Sequence, residues 1–388
     1  MTRHRWSVPE TEVLQHVNER LEANDEGTDV LATIVAVEGN AYRRPGAKML
    51  LDAGGTGVGA ITAGCLEDDL LGRAEPVRES GQPELVTYDL TEGDDDVWGL
   101  GVGCNGIVDV LLEPLTETYR PAAEAFADGR DVAVCTVLDG GDDASLVRGD
   151  RAYYHPGVDR FEPVDGAVEE WPVATLAEPA ADLAERANAA VFEVDHGGRS
   201  LEIFVDGLAA PPELVVFGTG HDVGPVTELA ANTGFRVTVV GFRGGVDLEE
   251  RFPDADRAIT TSPRSLADAL EVDDRTYAVV MTHNFVDDRL TVETLLESEI
   301  PYVGLMGPRE RFAEMREEFT AEGQPVDDEA LERLYTPIGL DLGSGSPYGI
   351  AHSIVAELLV VHNDRTPRHL GARAGPIHER AGTDADTN

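Results

Sequence analysis

Residues 214–224 decide the fold class of this 388-residue chain: Leu214-Val215-Val216-Phe217-Gly218-Thr219-Gly220-His221-Asp222-Val223-Gly224. Four apolar residues, two of them β-branched, read as a buried strand. The glycines that follow let the turn tighten and bring backbone N–H groups toward a phosphate, as in the first turn of a dinucleotide-type fold. A helix is expected over 225–233. The alternation then repeats, with strands over 235–240, 277–281 and 302–305 and helices over 288–296 and 310–319. Such alternation specifies a parallel sheet covered by helices. Ser346 is the expected cap of a further helix, with Pro347 at its first position and an apolar face that includes Ile350, Ile354 and Leu358. Two departures weaken a nicotinamide reading. Val223 stands where the third glycine of G-x-G-x-x-G belongs, and Gly241 stands where an acid would hold a ribose.

Before Pro211-Pro212 the pattern is mixed. A helix is expected over 9–23, with Val13, Leu14, Val17 and Leu21 on one face. Strands follow over 30–37, 48–51, 58–61 and 107–112, and a helix over 66–74 starts directly after Cys65. From about 119 to 193 the signals are weak, with short strands over 132–138 and 152–154 among acidic turns. A strand over 201–205 closes this part. The fold class is therefore α/β: a mixed α+β N-terminal domain (1–209), a Rossmann-like domain (210–365), and a polar tail (366–388) expected to be disordered.

Acidic residues number 74 against 30 basic ones, a formal net charge of −44, and Lys48 is the only lysine. The charges are spread along a chain rich in apolar runs, unlike an acidic disordered protein. This predicts a surface adapted to very high salt, as in an extreme halophile. A melting temperature indifferent to KCl would overturn that expectation. The charge excludes nucleic acid as a partner. No apolar run reaches membrane-spanning length, and no signal peptide opens the chain. Three cysteines make no disulfide framework. A cytoplasmic protein with reduced thiols is expected.

Two of those cysteines sit in glycine-rich loops, Ala63-Gly64-Cys65-Leu66-Glu67 and Gly101-Val102-Gly103-Cys104-Asn105-Gly106. Glycine lets backbone and thiol approach a ligand closely. That arrangement suits sulfur or soft-ligand chemistry, while a small buried hydrophobe is the alternative for either thiol. Arg43, Arg44 and Lys48 place three positive charges within six residues, a candidate anion site. The alternative is arginines balancing nearby carboxylates. His221 and His283 fall at strand ends of the C-terminal domain, the ligand edge of an open α/β sheet. No C-x-x-C or H-x-x-x-H spacing supports a metal site. No nucleophile elbow, P-loop lysine or H-E-x-x-H occurs. The sequence carries a binding constellation and no catalytic residue to single out.

Taken in order, these motifs resemble the XdhC/CoxI family of accessory factors for xanthine dehydrogenase and carbon monoxide dehydrogenase type molybdoenzymes. The resemblance rests on Val35-Ala36-Val37-Glu38-Gly39 through Arg43-Arg44-Pro45-Gly46-Ala47-Lys48-Met49, Gly64-Cys65-Leu66-Glu67 and Gly103-Cys104-Asn105-Gly106. It continues in Phe217-Gly218-Thr219-Gly220-His221-Asp222, Thr282-His283, Gly304-Leu305-Met306-Gly307 and Pro337-Ile338-Gly339-Leu340-Asp341. It implies a chaperone that binds molybdenum cofactor (molybdopterin), presents it to a cysteine desulfurase-type sulfurase, and delivers it to the target molybdoenzyme. It implies a maturation factor rather than an enzyme, and a homodimer. By the resemblance, Cys65 and Cys104 handle cofactor or sulfur. Arg43, Arg44, His221 and the glycine turns at Gly64, Gly103, Gly218 and Gly220 are expected to contact the phosphate and pterin. Departures from the family pattern include Ala63 before the first cysteine, Asn105 after the second, Gly241 in place of an acid, and Gly349 where a helix often carries Glu. The competing reading is an NAD(P)- or nucleotide-dependent oxidoreductase built on the C-terminal domain, which the missing acid at 241 counts against.

Overall fold

A computed structural model describes residues 5–23, 29–39, 41–90, 106–141 and 145–372. The loop holding Gly103 and Cys104 and the end of the expected tail lie outside the described residues. The chain divides into two compact units, one ending at Ala210 and the next beginning at Pro211.

In the N-terminal unit the β-branched run expected to be buried forms β1 (Val30–Gly39). It pairs antiparallel with β2 (Lys48–Leu51) on one side and with β5 (Gly106–Pro114) on the other. With β3 (Gly57–Gly59) and β4 (Glu84–Asp89) they make a five-stranded sheet, ordered β3-β2-β1-β5-β4. Helix α1 (Glu10–Glu22) buries the stripe read from its spacing, Val13, Leu14, Val17 and Leu21. Helix α2 (Glu67–Ser80) covers the other core of this sheet with Leu70, Ala74 and Val77.

The weakly patterned stretch contains more order than its sequence suggested. A second antiparallel sheet, β8-β7-β6-β10-β9, is built from β6 (Val132–Asp139), β7 (Arg151–His155), β8 (Arg160–Pro163), β9 (Ala189–His196) and β10 (Arg199–Leu208). Helix α3 (Arg120–Ala127) joins α1 in one core, and α4 (Val173–Glu185) covers the second sheet. Pro179 inside α4 hid that helix, because a proline removes a helical hydrogen bond and reads as a breaker. Yet Leu176, Ala180, Leu183 and Ala184 recur at helical spacing, and all are buried. Gly207 lets α4 approach β10 closely, since a Cβ there would stand 2.0 Å from the Leu183 carbonyl oxygen.

The C-terminal unit is a six-stranded parallel sheet: β11 (Glu213–Phe217), β12 (Arg236–Gly241), β13 (Arg257–Thr260), β14 (Thr276–Val280), β15 (Tyr302–Leu305) and β16 (Leu334–Tyr335). The order β13-β12-β11-β14-β15-β16 is the 3-2-1-4-5-6 order of dinucleotide folds. Helices α5 (Val223–Ala231) and α11 (Pro347–His362) cover one face. Helices α8 (Phe285–Leu296) and α9 (Arg309–Ala321) cover the other. Short helices α6 (Leu248–Arg251), α7 (Leu266–Ala269) and α10 (Asp328–Glu332) occupy connections. The Ser346 cap forms as read, its hydroxyl accepting the Gly349 N–H at 3.1 Å.

Candidate functional site

In the parallel sheet the connections leave β11 in one direction and β14 in the other, so the crevice of an open α/β fold falls between their carboxyl ends. Gly218 follows β11 directly. A Cβ there would stand 2.7 Å from the Met281 carbonyl oxygen, so only glycine lets these strand ends lie together. The turn continues through Thr219, Gly220 and an exposed His221 into α5. Across the crevice, Thr282 and His283 leave β14. His283 has φ 60, a left-handed conformation that histidine enters more readily than most residues. Its Nε2 lies 2.8 Å from Asp222 Oδ2, linking the two loops. Below it, buried Asp288 accepts from the Thr282 amide at 3.1 Å and from the Arg311 guanidinium, which holds the β14 loop in place.

The Cys65 loop is positioned by a buried network. The Glu67 carboxylate, 4% exposed, accepts from the Thr62 amide at 2.7 Å, the Thr62 hydroxyl at 2.7 Å and the Leu66 amide at 3.1 Å. The Thr62 hydroxyl in turn accepts the Cys65 amide at 2.9 Å. Gly64 has φ 110 with nothing within 4 Å of a Cβ position, so it turns the chain at an open place, while Cys65 packs partly against the apolar core of the sheet. Cys65 itself is half-buried, immediately ahead of α2. Cys135 behaves as the small hydrophobe: it is fully buried in β6, and burial pushes its thiol up to about 12.

The positive cluster does not act as one. Lys48 is buried, with Nζ 2.6 Å from Asp206 on β10 and 2.7 Å from the Gly46 carbonyl oxygen. It therefore drops out of the expected anion site, because its charge is spent inside the unit. Arg43 pairs with Glu10 of α1, and burial together with the Arg44 charge lowers its pKa. Arg44 is exposed and forms no ion pair among the described residues.

Sequence reasoning overlooked the roles of Thr62 and Glu67. Thr62 and Glu67 are five residues apart and do not have the spacing of a capping box, so no local signal marked the pair. It also missed the Asp222–His283 pair, which no local spacing encodes. Among the described residues, no group of three or more His, Cys, Asp or Glu is placed to hold a metal ion, and no helix is long and apolar enough to cross a membrane. A groove of about 720 Å³ lined by Arg309, Phe312, Arg316 and Thr336 contains none of the site residues expected from sequence.

Comparison with known proteins adds to this geometry. Residues 214–358 match the XdhC Rossmann domain, and residues 23–89 match the XdhC and CoxI family. The chain is 31% identical over 335 residues to a probable xanthine dehydrogenase subunit of Bacillus subtilis, covering 86% of this chain and 93% of that protein. It is 27% identical over 168 residues to the uncharacterized protein YqeB of Escherichia coli, covering 43% of this chain and 30% of that protein. A crystal structure of a xanthine dehydrogenase from Bacillus halodurans superposes with a TM-score of 0.70 at 29% identity, covering 92% of this chain and 96% of that one.

Proposed function

The chain belongs to the XdhC and CoxI family, and on that footing we propose that it is a carrier of molybdenum cofactor for a xanthine dehydrogenase type molybdoenzyme. The observation that carries this reading is the Cys65 loop, a half-buried thiol at the edge of an apolar core whose backbone is held by the buried Thr62–Glu67 network. When bound, the cofactor supplies a dithiolene-held metal on which an oxo ligand can be exchanged for sulfur.

The residues present fit such a ligand in part. Nothing lies within 4 Å of a Cβ position on Gly64, next to Cys65 in the chain, and Cys65 itself is only half-buried. In the C-terminal unit, the Gly218 N–H donates to the Val240 carbonyl oxygen at 3.0 Å, so a phosphate would have to meet the turn after it, at the start of α5. Of the basic cluster, only Arg44 retains a charge available to an anion. In this reading Cys65 and Cys104 contact the metal end or the sulfur, with Thr62 and Glu67 as positioning residues; His221 and the glycine turn of the C-terminal unit are a separate candidate for binding a phosphate. A cysteine desulfurase-type sulfurase and the apo-molybdoenzyme are the transfer partners, in the cytoplasm.

The test is cofactor binding under anaerobic conditions in molar KCl, with wild type compared against Cys65→Ala and Cys104→Ala. Stoichiometric binding weakened at least tenfold by either substitution is expected. Full binding in both variants would remove the thiols from the site, and no binding by wild type would overturn the carrier reading. The 3-2-1-4-5-6 strand order favours a second reading, a nucleotide-dependent oxidoreductase. Turnover of a substrate with a nicotinamide cofactor would establish it.

A further inference from the structure

The loops that follow β12 and β13 are unusual in this chain. Residues 241–246 (Gly-Phe-Arg-Gly-Gly-Val) and 260–267 (Thr-Thr-Ser-Pro-Arg-Ser-Leu-Ala) carry no acidic residue, and Asp247, which ends the first loop, is engaged as the cap of α6, its carboxylate accepting the Glu250 amide at 3.1 Å. Each contributes one arginine, Arg243 and Arg264. Both are exposed, and neither forms an ion pair among the described residues. Some arginines of this protein do find carboxylates, as Arg73 does with Asp69 and Glu84.

The fold brings the two loops together. Gly241 is in register with Thr260 across the β12–β13 pair, and the Thr261 amide donates to the Gly241 carbonyl oxygen at 3.1 Å. Both loops therefore leave the same edge side by side. They also adjoin the glycine turn after β11. A Cβ on Gly241 would stand 3.0 Å from Thr219 Cγ2 and 3.1 Å from Leu248 Cδ1. A carboxylate side chain at 241 thus has no room unless Thr219 or Leu248 shifts. Phe242 stacks on Phe217 with ring centroids 6.0 Å apart, which fixes where the Arg243 loop begins. Thr260, Thr261, Ser262 and Ser265 add hydroxyls, with Ser262 and Ser265 hydrogen-bonded at 3.0 Å.

Arginine, hydroxyl and glycine, with neither arginine in an ion pair, is a composition that receives a phosphate dianion. In dinucleotide folds the acid closing the second strand takes a ribose diol, and an arginine nearby takes a ribose 2′-phosphate instead. Gly241 followed by Arg243 has the second arrangement. We infer that the β12–β13 edge is a phosphomonoester subsite, formed by Arg243, Arg264 and the hydroxyls of 260–265, that selects a phosphorylated ligand over its unphosphorylated counterpart. The phosphate can be borne on an adenosine ribose or on a pterin. The inference goes beyond the carrier reading and stands without it, because it is read on discrimination between ligands and not on cofactor retention.

Isothermal titration of the full chain at one fixed KCl concentration decides the matter with two ligand pairs. One pair is NADP+ and NAD+; the other is the oxidised pterin monophosphate and its dephosphorylated form. At least tenfold tighter binding of the phosphorylated member in one pair is expected, and the pair concerned identifies the source of the phosphate. Arg243→Gln or Arg264→Gln should bring that member to the level of its partner while the circular dichroism spectrum stays unaltered. Equal binding within both pairs, no binding of any of the four, or discrimination that survives both substitutions would overturn the subsite.

Discussion

Lys48 and Asp206, like Arg151 and Glu113, form ion pairs whose members are all buried in the N-terminal unit. Arg243 and Arg264 in the C-terminal unit stand exposed on two adjoining loops and form no ion pair among the described residues. Two of the first unit's cations face inward, joining β2 to β10 and β5 to β7, and so tie its two sheets together. The second unit leaves charge at the sheet edge where ligands of such folds bind. In a chain of net charge −44, an arginine that avoids carboxylates says more about ligands than one that has found them. Clustering along the sequence, as at 43–48, did not distinguish the two cases.

The contrast breaks most visibly at Lys48. Lys48→Met leaves Asp206 buried and unpaired, and should cost about 3–5 kcal/mol in urea unfolding. Adding Asp206→Asn should restore part of that loss, and a purely additive double variant would show that the pair is not coupled. Glu67→Gln removes an acceptor from a buried three-donor network, so a loss of about 1–3 kcal/mol is expected. Faster modification of Cys65 by a thiol reagent should accompany it. If the rate is unaltered, Glu67 does not position the loop.

Cys135 tests how dry the second sheet's core is. Its thiol rises from 9.0 unfolded to about 12 in the folded state, so the folded chain holds its proton where the unfolded chain releases it. Wild type should therefore lose about 1.4 kcal/mol per pH unit relative to Cys135→Ala above pH 9, with a constant gap below it. A gap that stays constant to pH 10.5 would contradict that burial. The smallest effect belongs to the exposed side of the comparison. Arg243→Gln should change stability by less than about 0.5 kcal/mol, and a larger loss would mean the guanidinium has a structural partner.

Much of the C-terminal fold was legible because a parallel sheet writes itself as apolar strand, turn and helix in regular succession. Strand β15 and the Ser346 cap were read to the residue. The N-terminal unit was legible through β1, β2 and α1, whose patterns are strong, and much less so where Pro179 interrupts α4 and short strands alternate with acidic turns. The turn at Gly64 and the helix that starts just after Cys65 were legible, and the structure leaves the Cys65 thiol half-buried at the edge of the core. The support of that turn by Thr62 and Glu67 was not legible, since hydrogen-bond partners three to five residues apart depend on how the loop closes.

By itself the sequence determined which segments alternate, where glycine must allow a turn, that lysine occurs once, and which family the motifs resemble. Only the tertiary structure decided that Lys48 faces Asp206, that Arg43 faces Glu10, that Asp222 meets His283, and that the loops after β12 and β13 share an edge. The physical reason is that periodicity records which face of an element is buried. The partner of a charge is chosen by strand register and sheet packing, which bring together residues far apart in the chain.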